Sequence, residues 1–202
     1  MGELVIFDLN PYISEYNCKT YVETGTGMGV CLGHASKFNF DNFYSIELDG
    51  ELVEAANRNF PQENINIIHD YSSKGLEELV PTLPKNTPVL FFLDAHFPGA
   101  DFHKISYEES IREFKEEAFP LLNEIKIIKK HRDISKDVFI IDDWKLYDDT
   151  LNYEMPGWAY KSLQEELGLV TNSSQIIGEF ELTHNCEVKL QHQGFLFATP
   201  KL

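Results

Sequence analysis

The stretch VETGTGMGVCLG, Val22 to Gly33, places four glycines in a short apolar run directly after an acid. Glycine inside an element costs roughly 0.5–1 kcal/mol relative to alanine. Gly25, Gly27 and Gly29 at alternate positions therefore mark a backbone that turns sharply or is closely approached. TYVETG (20–25) reads as a strand and 28–38 as a helix, so the glycines join the two. In an open α/β sheet that junction lies at the carboxyl ends of the strands, where nucleotide-like ligands bind. Glycines admit backbone contact there, and the first helical turn offers unpaired N–H groups.

The same alternation continues along the chain. FYSIEL (43–48), INIIHD (65–70), PVLFFLDAH (88–96) and DVFIIDD (137–143) read as strands, with helices near 50–60, 73–82 and 107–130. Asp49 and Ser72 or Ser73 stand where N-caps are needed. Pro120 is expected to kink or break the long helix at 107–130. A helix at 157–167 precedes two extended runs, 174–183 and 194–200, which can pair antiparallel on the sheet edge. Strands alternating with helices predict an α/β, Rossmann-like sheet of seven strands, mostly parallel, with helices on both faces. No repeat or linker interrupts it, so residues 1–202 read as one domain.

Composition narrows the function. The 202 residues carry a formal net charge of −16, with 43% apolar and 25% charged residues, as in an ordinary globular protein. That charge argues against a nucleic-acid partner and against docking on an anionic membrane surface. The one concentrated basic stretch, KIIKKHR (126–132), ends a helix and complements its dipole. Cys18, Cys31 and Cys186 form no CxxC pair, which fits reduced thiols in a cytoplasm. No basic n-region opens the chain, so no signal peptide is expected.

The dinucleotide fingerprint G-x-G-x-x-G fails in both frames, because its third glycine would be Val30 or Leu32. The observed E-x-G-x-G-x-G resembles instead the first motif of class I S-adenosylmethionine (SAM)-dependent methyltransferases. That resemblance implies that Glu23 holds the amino-acid end of SAM and that Gly25, Thr26, Gly27 and Gly29 form its cradle. Glu47, 22 residues past Gly25, is placed for both ribose hydroxyls, an acid that nicotinamide-dinucleotide proteins share. Asp70, ending the third strand, is the candidate for the adenine amino group or else a strand-end cap.

LDAHFPG (93–99) and FIIDDWKLY (139–147) end strands four and five. Neighbouring strands would bring Asp94, Asp142 and Asp143 to one edge, where carboxylates without a counter-ion raise one another's pKa values. Mg²⁺ answers that charge with oxygen ligands and open positions. The arrangement resembles the metal-dependent O-methyltransferases of the catechol and macrolide-sugar kinds. By that resemblance Asp94, Asp142 and Asp143 hold the ion, with Asp94 also beside SAM. Catechol-type enzymes carry a lysine base three residues past the first Asp, where this chain has Phe97. His96 is the substitute base; its other readings are a neutral metal ligand, a substrate hydrogen-bonder or a packed histidine. His103 reads as exposed in a loop able to cover the site, and Trp144 as core or else as a border of the substrate pocket.

The sequence thus predicts a SAM-dependent, Mg²⁺-assisted O-methyltransferase for a small hydroxylated molecule such as a sugar. The rivals are a metal-independent methyltransferase of the same fold and a SAM-binding module without chemistry. Residues 98–107 and 145–157 are the candidate substrate loops. The short N-terminal extension leaves either an open pocket or one covered by a second subunit, as in a homodimer.

Overall fold

The computed structural model describes residues 4–148 and 161–201. A short helix α1 (Asn10–Tyr16) leads into β1 (Thr20–Thr24). Then α2 (Val30–Ala35), β2 (Asn42–Glu47), α3 (Gly50–Asn59), β3 (Ile65–His69) and α4 (Ser72–Leu79) follow. β4 (Val89–Leu93), α5 (Tyr107–Phe114), α6 (Leu121–His131) and β5 (Val138–Ile141) come next. The chain closes with α7 (Lys161–Leu167), α8 (Ser173–Gly178), β6 (His184–Lys189) and β7 (Phe195–Pro200).

The seven strands lie in the order β3-β2-β1-β4-β5-β7-β6. β1 pairs in parallel with both β2 and β4, and β7 runs antiparallel to β5 and β6. The order reverses between β1 and β4, which opens a crevice beyond their carboxyl ends. β1 and β4 are buried along their whole length, as strands covered on both faces must be. Alternate residues feed two cores. Val22, Phe91, Leu93 and Phe139 pack with α4 and α6 on one face, and Phe91 stacks on Phe139 at 5.1 Å. Tyr21, Phe92 and Ile140 pack toward Leu4, Leu9 and Leu32 on the other.

Several expectations need correction. The run 174–183 is not a strand: Asn172 and Gln175 cap α8 reciprocally, and the antiparallel partner of β7 begins at His184 instead. The Ile176–Ile177 pair suggested a strand, but a complete capping box outweighs that preference. The 107–130 helix is broken, as Pro120 predicts, into α5, a 3-10 turn and α6. Neither Ser72 nor Ser73 caps α4: Tyr71 holds the N-cap position and Ser73 Oγ donates to Glu117. The helix expected from 157 is seen from Lys161; its start, and residues 149–157 of the second substrate loop, lie outside the described residues. Among the described residues, no helix is long and apolar enough to cross a membrane.

Candidate active site

Gly25, Gly27 and Gly29 all adopt positive φ, at 81°, 52° and 74°. The loop is tightly bonded to the chain beneath it. Gly25 N and Thr26 N donate to Ile46 O, Gly27 N donates to Glu47 Oε2 at 2.8 Å, and Gly29 N to Thr26 O. A Cβ on Gly25 would meet the Asp94 carbonyl oxygen at 3.0 Å, so the β1 and β4 extensions touch there. Four loop amides are thus already satisfied, which leaves little of the donor array that a pyrophosphate requires.

Glu23 lies under this loop. It is fully buried, accepts from Ser45 Oγ (2.6 Å) and Tyr21 OH (2.7 Å), and Ser45 Oγ in turn lies 2.5 Å from Thr26 Oγ1. Burial pushes its pKa up to about 7 despite those two donors. The structure gives Glu23 a place supporting the loop, not one in the cavity wall. Glu47 is in the wall, and its Oε1 accepts Asp49 N at 2.8 Å. It joins the glycine loop to the start of α3, where Asp49 is the N-cap that the sequence predicts. Asp70 also lines the cavity; Lys74 at 2.6 Å holds its carboxyl below the usual range.

The acids beyond β4 and β5 come together, with one exchange. Asp94, His96 and Asp143 present ligand atoms within 4.8 Å of one another. Asp142 is not in that set: its Oδ1 accepts Asp143 N at 2.8 Å. β5 has ended at Ile141 and Asp143 is left-handed, with φ of 52°, so its Oδ2 reaches His96 Nε2 while Asp142 Oδ1 is held by the Asp143 amide. His96, the sequence's candidate base, stands there instead. Its Nδ1 lies 3.0 Å from the Asp94 carbonyl oxygen, which only accepts, so the proton of a neutral ring sits on Nδ1. Nε2 is then a lone pair 3.0 Å from Asp143 Oδ2 and 3.5 Å from Asp101 Oδ2. A lone pair facing carboxylates requires a cation or a proton between them. An imidazole fixed through Nδ1–H to a carbonyl is also how metal-binding histidines are oriented.

Charge points the same way. Asp94 Oδ1 is buried without a hydrogen-bond partner. Burial, then Asp142 and Asp143, hold the Asp94 carboxyl well above the usual range, and burial raises Asp143. The set fits a divalent cation by its donor chemistry and by this orphaned oxygen.

Asp94 and His96 of this set line a cavity of about 510 Å³ at the β1/β4 crevice, whose lining does not include Asp143. Among the described residues, Glu47, Asp49, Asp70, Asp94, Asp101, Glu113 and Glu117 line it, against one lysine, Lys104. Lys104 is itself bound to Asp49 and Glu51, which ties the loop after β4 across to α3. Phe102 of that loop faces Gly27, and His103 is exposed as expected. Trp144 is fully buried in the core.

Glu124 is the residue the sequence reading missed. It sits on α6 three residues after Leu121 and four before Ile128, on the buried face, and is 1% exposed. The Ser72 and Thr24 hydroxyls approach it, but neither carboxylate oxygen makes a hydrogen bond. Burial therefore dominates and lifts its pKa from 4.5 to about 7. A raised carboxyl favours the folded state only while protonated, so stability falls as pH rises through this window. Glu124→Gln is expected to gain on wild type by roughly 3 kcal/mol between about pH 4.5 and 7.5, read from denaturant midpoints. Glu23 titrates identically in both proteins and cancels; a difference constant with pH would contradict the assignment.

No protein-family model matches the chain, and no curated protein matches it. Solved structures match it in fold. A Podospora anserina methyltransferase bound to S-adenosylhomocysteine (SAH) superposes with a TM-score of 0.60 at 13% identity, over 95% of this chain and 75% of that one. A Staphylococcus aureus protein assigned as a caffeoyl-CoA O-methyltransferase gives 0.55 at 14%, over 100% and 85%. A Klebsiella pneumoniae protein assigned as an O-methyltransferase gives 0.54 at 14%, over 96% and 78%. The architecture is the Rossmann-like fold of class I methyltransferases.

Proposed function

We propose that the chain is a SAM-dependent methyltransferase acting, with a divalent cation, on an oxygen of a small hydroxylated acceptor. The observation that carries this reading is a cavity at the topological switch point walled by seven carboxylate residues. Such a wall attracts a sulfonium and an α-ammonium group and repels a pyrophosphate. Each Glu47 oxygen accepts one backbone amide and keeps a lone pair for a ribose hydroxyl. The backbone of Gly25 to Gly29 admits the ligand, and Asp70 faces the adenine end.

Asp94, His96 and Asp143 would hold the cation, which supplies charge that lowers the pKa of an acceptor hydroxyl. Mg²⁺ suits the carboxylates, whereas the imidazole suits a softer ion, so Mg²⁺ and Mn²⁺ are the two to compare. The chain's own part is alignment: the acceptor oxygen must lie in line with the S–CH₃ bond, worth several kcal/mol when held there. The C–S bond breaks as the O–C bond forms, SAH departs, and the acceptor proton goes to a wall carboxylate or solvent. In a metal-independent reading His96 takes that proton, since its Nε2 faces Asp101 and Asp143.

Calorimetric titration with SAH, in Mg²⁺, Mn²⁺ or chelator, tests the proposal, followed by an acceptor screen with sugars and phenols. Micromolar binding is expected, and Glu47→Ala is expected to weaken it by about 1–3 kcal/mol. No SAH binding in any condition would remove the enzyme reading. Binding without methylation of any acceptor would favour a SAM-binding module.

A further inference from the structure

Lys129, Lys130 and His131 end α6, where they complement its dipole, but the fold also gathers cations that this role does not explain. The segment before β4 (Lys85–Pro88) and the turn before β5 (Arg132–Asp137) meet the end of α6 around a second cavity of about 500 Å³. It lies at the amino ends of β4 and β5, the opposite edge of the sheet from the acid-walled cavity. Five of the chain's 17 Lys and Arg residues line it: Lys85, Lys129, Lys130, Arg132 and Lys136.

Part of this charge is already matched. Lys129 pairs with Glu179 and Lys130 with Glu77. Asp137 accepts Arg132 Nε at 2.7 Å, Arg132 Nη2 at 2.9 Å and Val89 N at 2.9 Å, so its oxygens are committed. Asp133 accepts Ser135 N. Asp133 keeps its charge, so what remains outside these pairs is two lysines, Lys85 and Lys136, against one carboxylate, a net positive balance. The Arg132 side chain is 2% exposed, and its Nη1 is buried with no acceptor. Lys85 and Lys136 are exposed and form no ion pair among the described residues.

We infer that this cleft binds a small, multiply charged anion of the phosphate class. Lys85 and Lys136 take its oxygens directly, and Arg132, held by Asp137, stands behind them with one buried donor, Nη1, that has no acceptor. The net charge of −16 repels free anions from the molecule as a whole. An anion is retained only where several cations converge, which favours a di- or polyanion over a monoanion. The cavity volume admits anything from pyrophosphate to a nucleotide. This site is independent of the methyltransferase reading.

The test is calorimetric titration of the full chain with pyrophosphate at low salt. Saturable binding at one site is expected, weakened with added salt, and at least about tenfold weaker in the Lys85→Ala/Lys136→Ala double variant. An unchanged melting temperature without anion verifies that the variant folds. No saturation up to about 10 mM pyrophosphate, or equal affinity in the double variant, overturns the inference. ADP in a parallel titration distinguishes the sources. Affinity equal to that of pyrophosphate, and lost in the double variant, supports a site that reads phosphate alone; tighter binding lost in the same variant supports a nucleotide site. ADP and pyrophosphate binding that both ignore the two lysines counts against the cleft.

Discussion

Asp143→Asn is expected to abolish divalent-ion binding and to lower methyl-transfer turnover by about 10²–10³-fold, while SAH affinity stays within about twofold. The choice of asparagine follows from the backbone. Asp143 has φ of 52°, a left-handed conformation that Asn and Asp tolerate better than Ala or larger residues. Asn therefore keeps the turn and the shape but removes the charge. That charge lies 3.0 Å from His96 Nε2 and close enough to Asp94 to raise its pKa. Removing it leaves a weaker ligand set but eases repulsion in the ion-free protein, so the variant should be slightly more stable without metal. Ion titration, acceptor turnover and chelator sensitivity, measured together, separate the readings. Loss of ion affinity with loss of turnover supports the cation. Wild-type turnover in the variant, unmoved by chelator, leaves His96 as the base of a metal-independent enzyme.

The pH dependence of ion binding should follow the same residues. Asp94 is raised above the usual carboxylate range, so a cation must displace protons from the site to bind. Ion affinity is expected to rise with pH well beyond where ordinary carboxylates have finished titrating. An isotherm independent of pH above about 5 would argue that Asp94 is not a ligand.

Much of this site was legible because it rests on strand ends. The apolar runs located β1 to β5, and the parallel order then placed Glu47, Asp70, Asp94 and Asp143 along one edge without further information. Periodicity does not say which way a side chain points once a strand has ended. The sequence allowed Asp142 and Asp143 to act together or as one functional acid beside a cap or surface acid, without saying which; Asp142 bonds the next backbone amide while Asp143 turns toward His96. Glu23 looked like a ligand contact because it precedes the glycines, but the strand pleat carries it toward Tyr21 and Ser45. Glu124 was hidden in an apolar stripe, although its spacing from Leu121 and Ile128 already placed it on the buried face. The β6 register depended on Asn172 and Gln175, a local cap whose effect was read too weakly beside two isoleucines.

Gly27→Val is expected to abolish SAH binding, by at least about 100-fold, while the fold survives with roughly 1–3 kcal/mol less stability. Two effects combine. At φ of 52° a β-branched residue is strained, so the loop is pushed toward another conformation and its N–H bond to Glu47 is put at risk. Among the described residues, a Cβ at this position meets only Phe102, at 3.5 Å, which is ordinary contact. The two valine methyls would therefore project into the gap between the glycine loop and Phe102, a stretch of the proposed SAM cleft. Gly25 is the less informative target: its Cβ would strike the Asp94 carbonyl at 3.0 Å, so a variant there damages the β1–β4 contact itself. Gly27→Ala, which carries the conformational cost with little of the bulk, should fall between wild type and valine. If valine binds SAH as wild type does, the backbone from Gly25 to Gly29 is a tight turn and not a cradle, and Glu47 loses its role as a ribose contact.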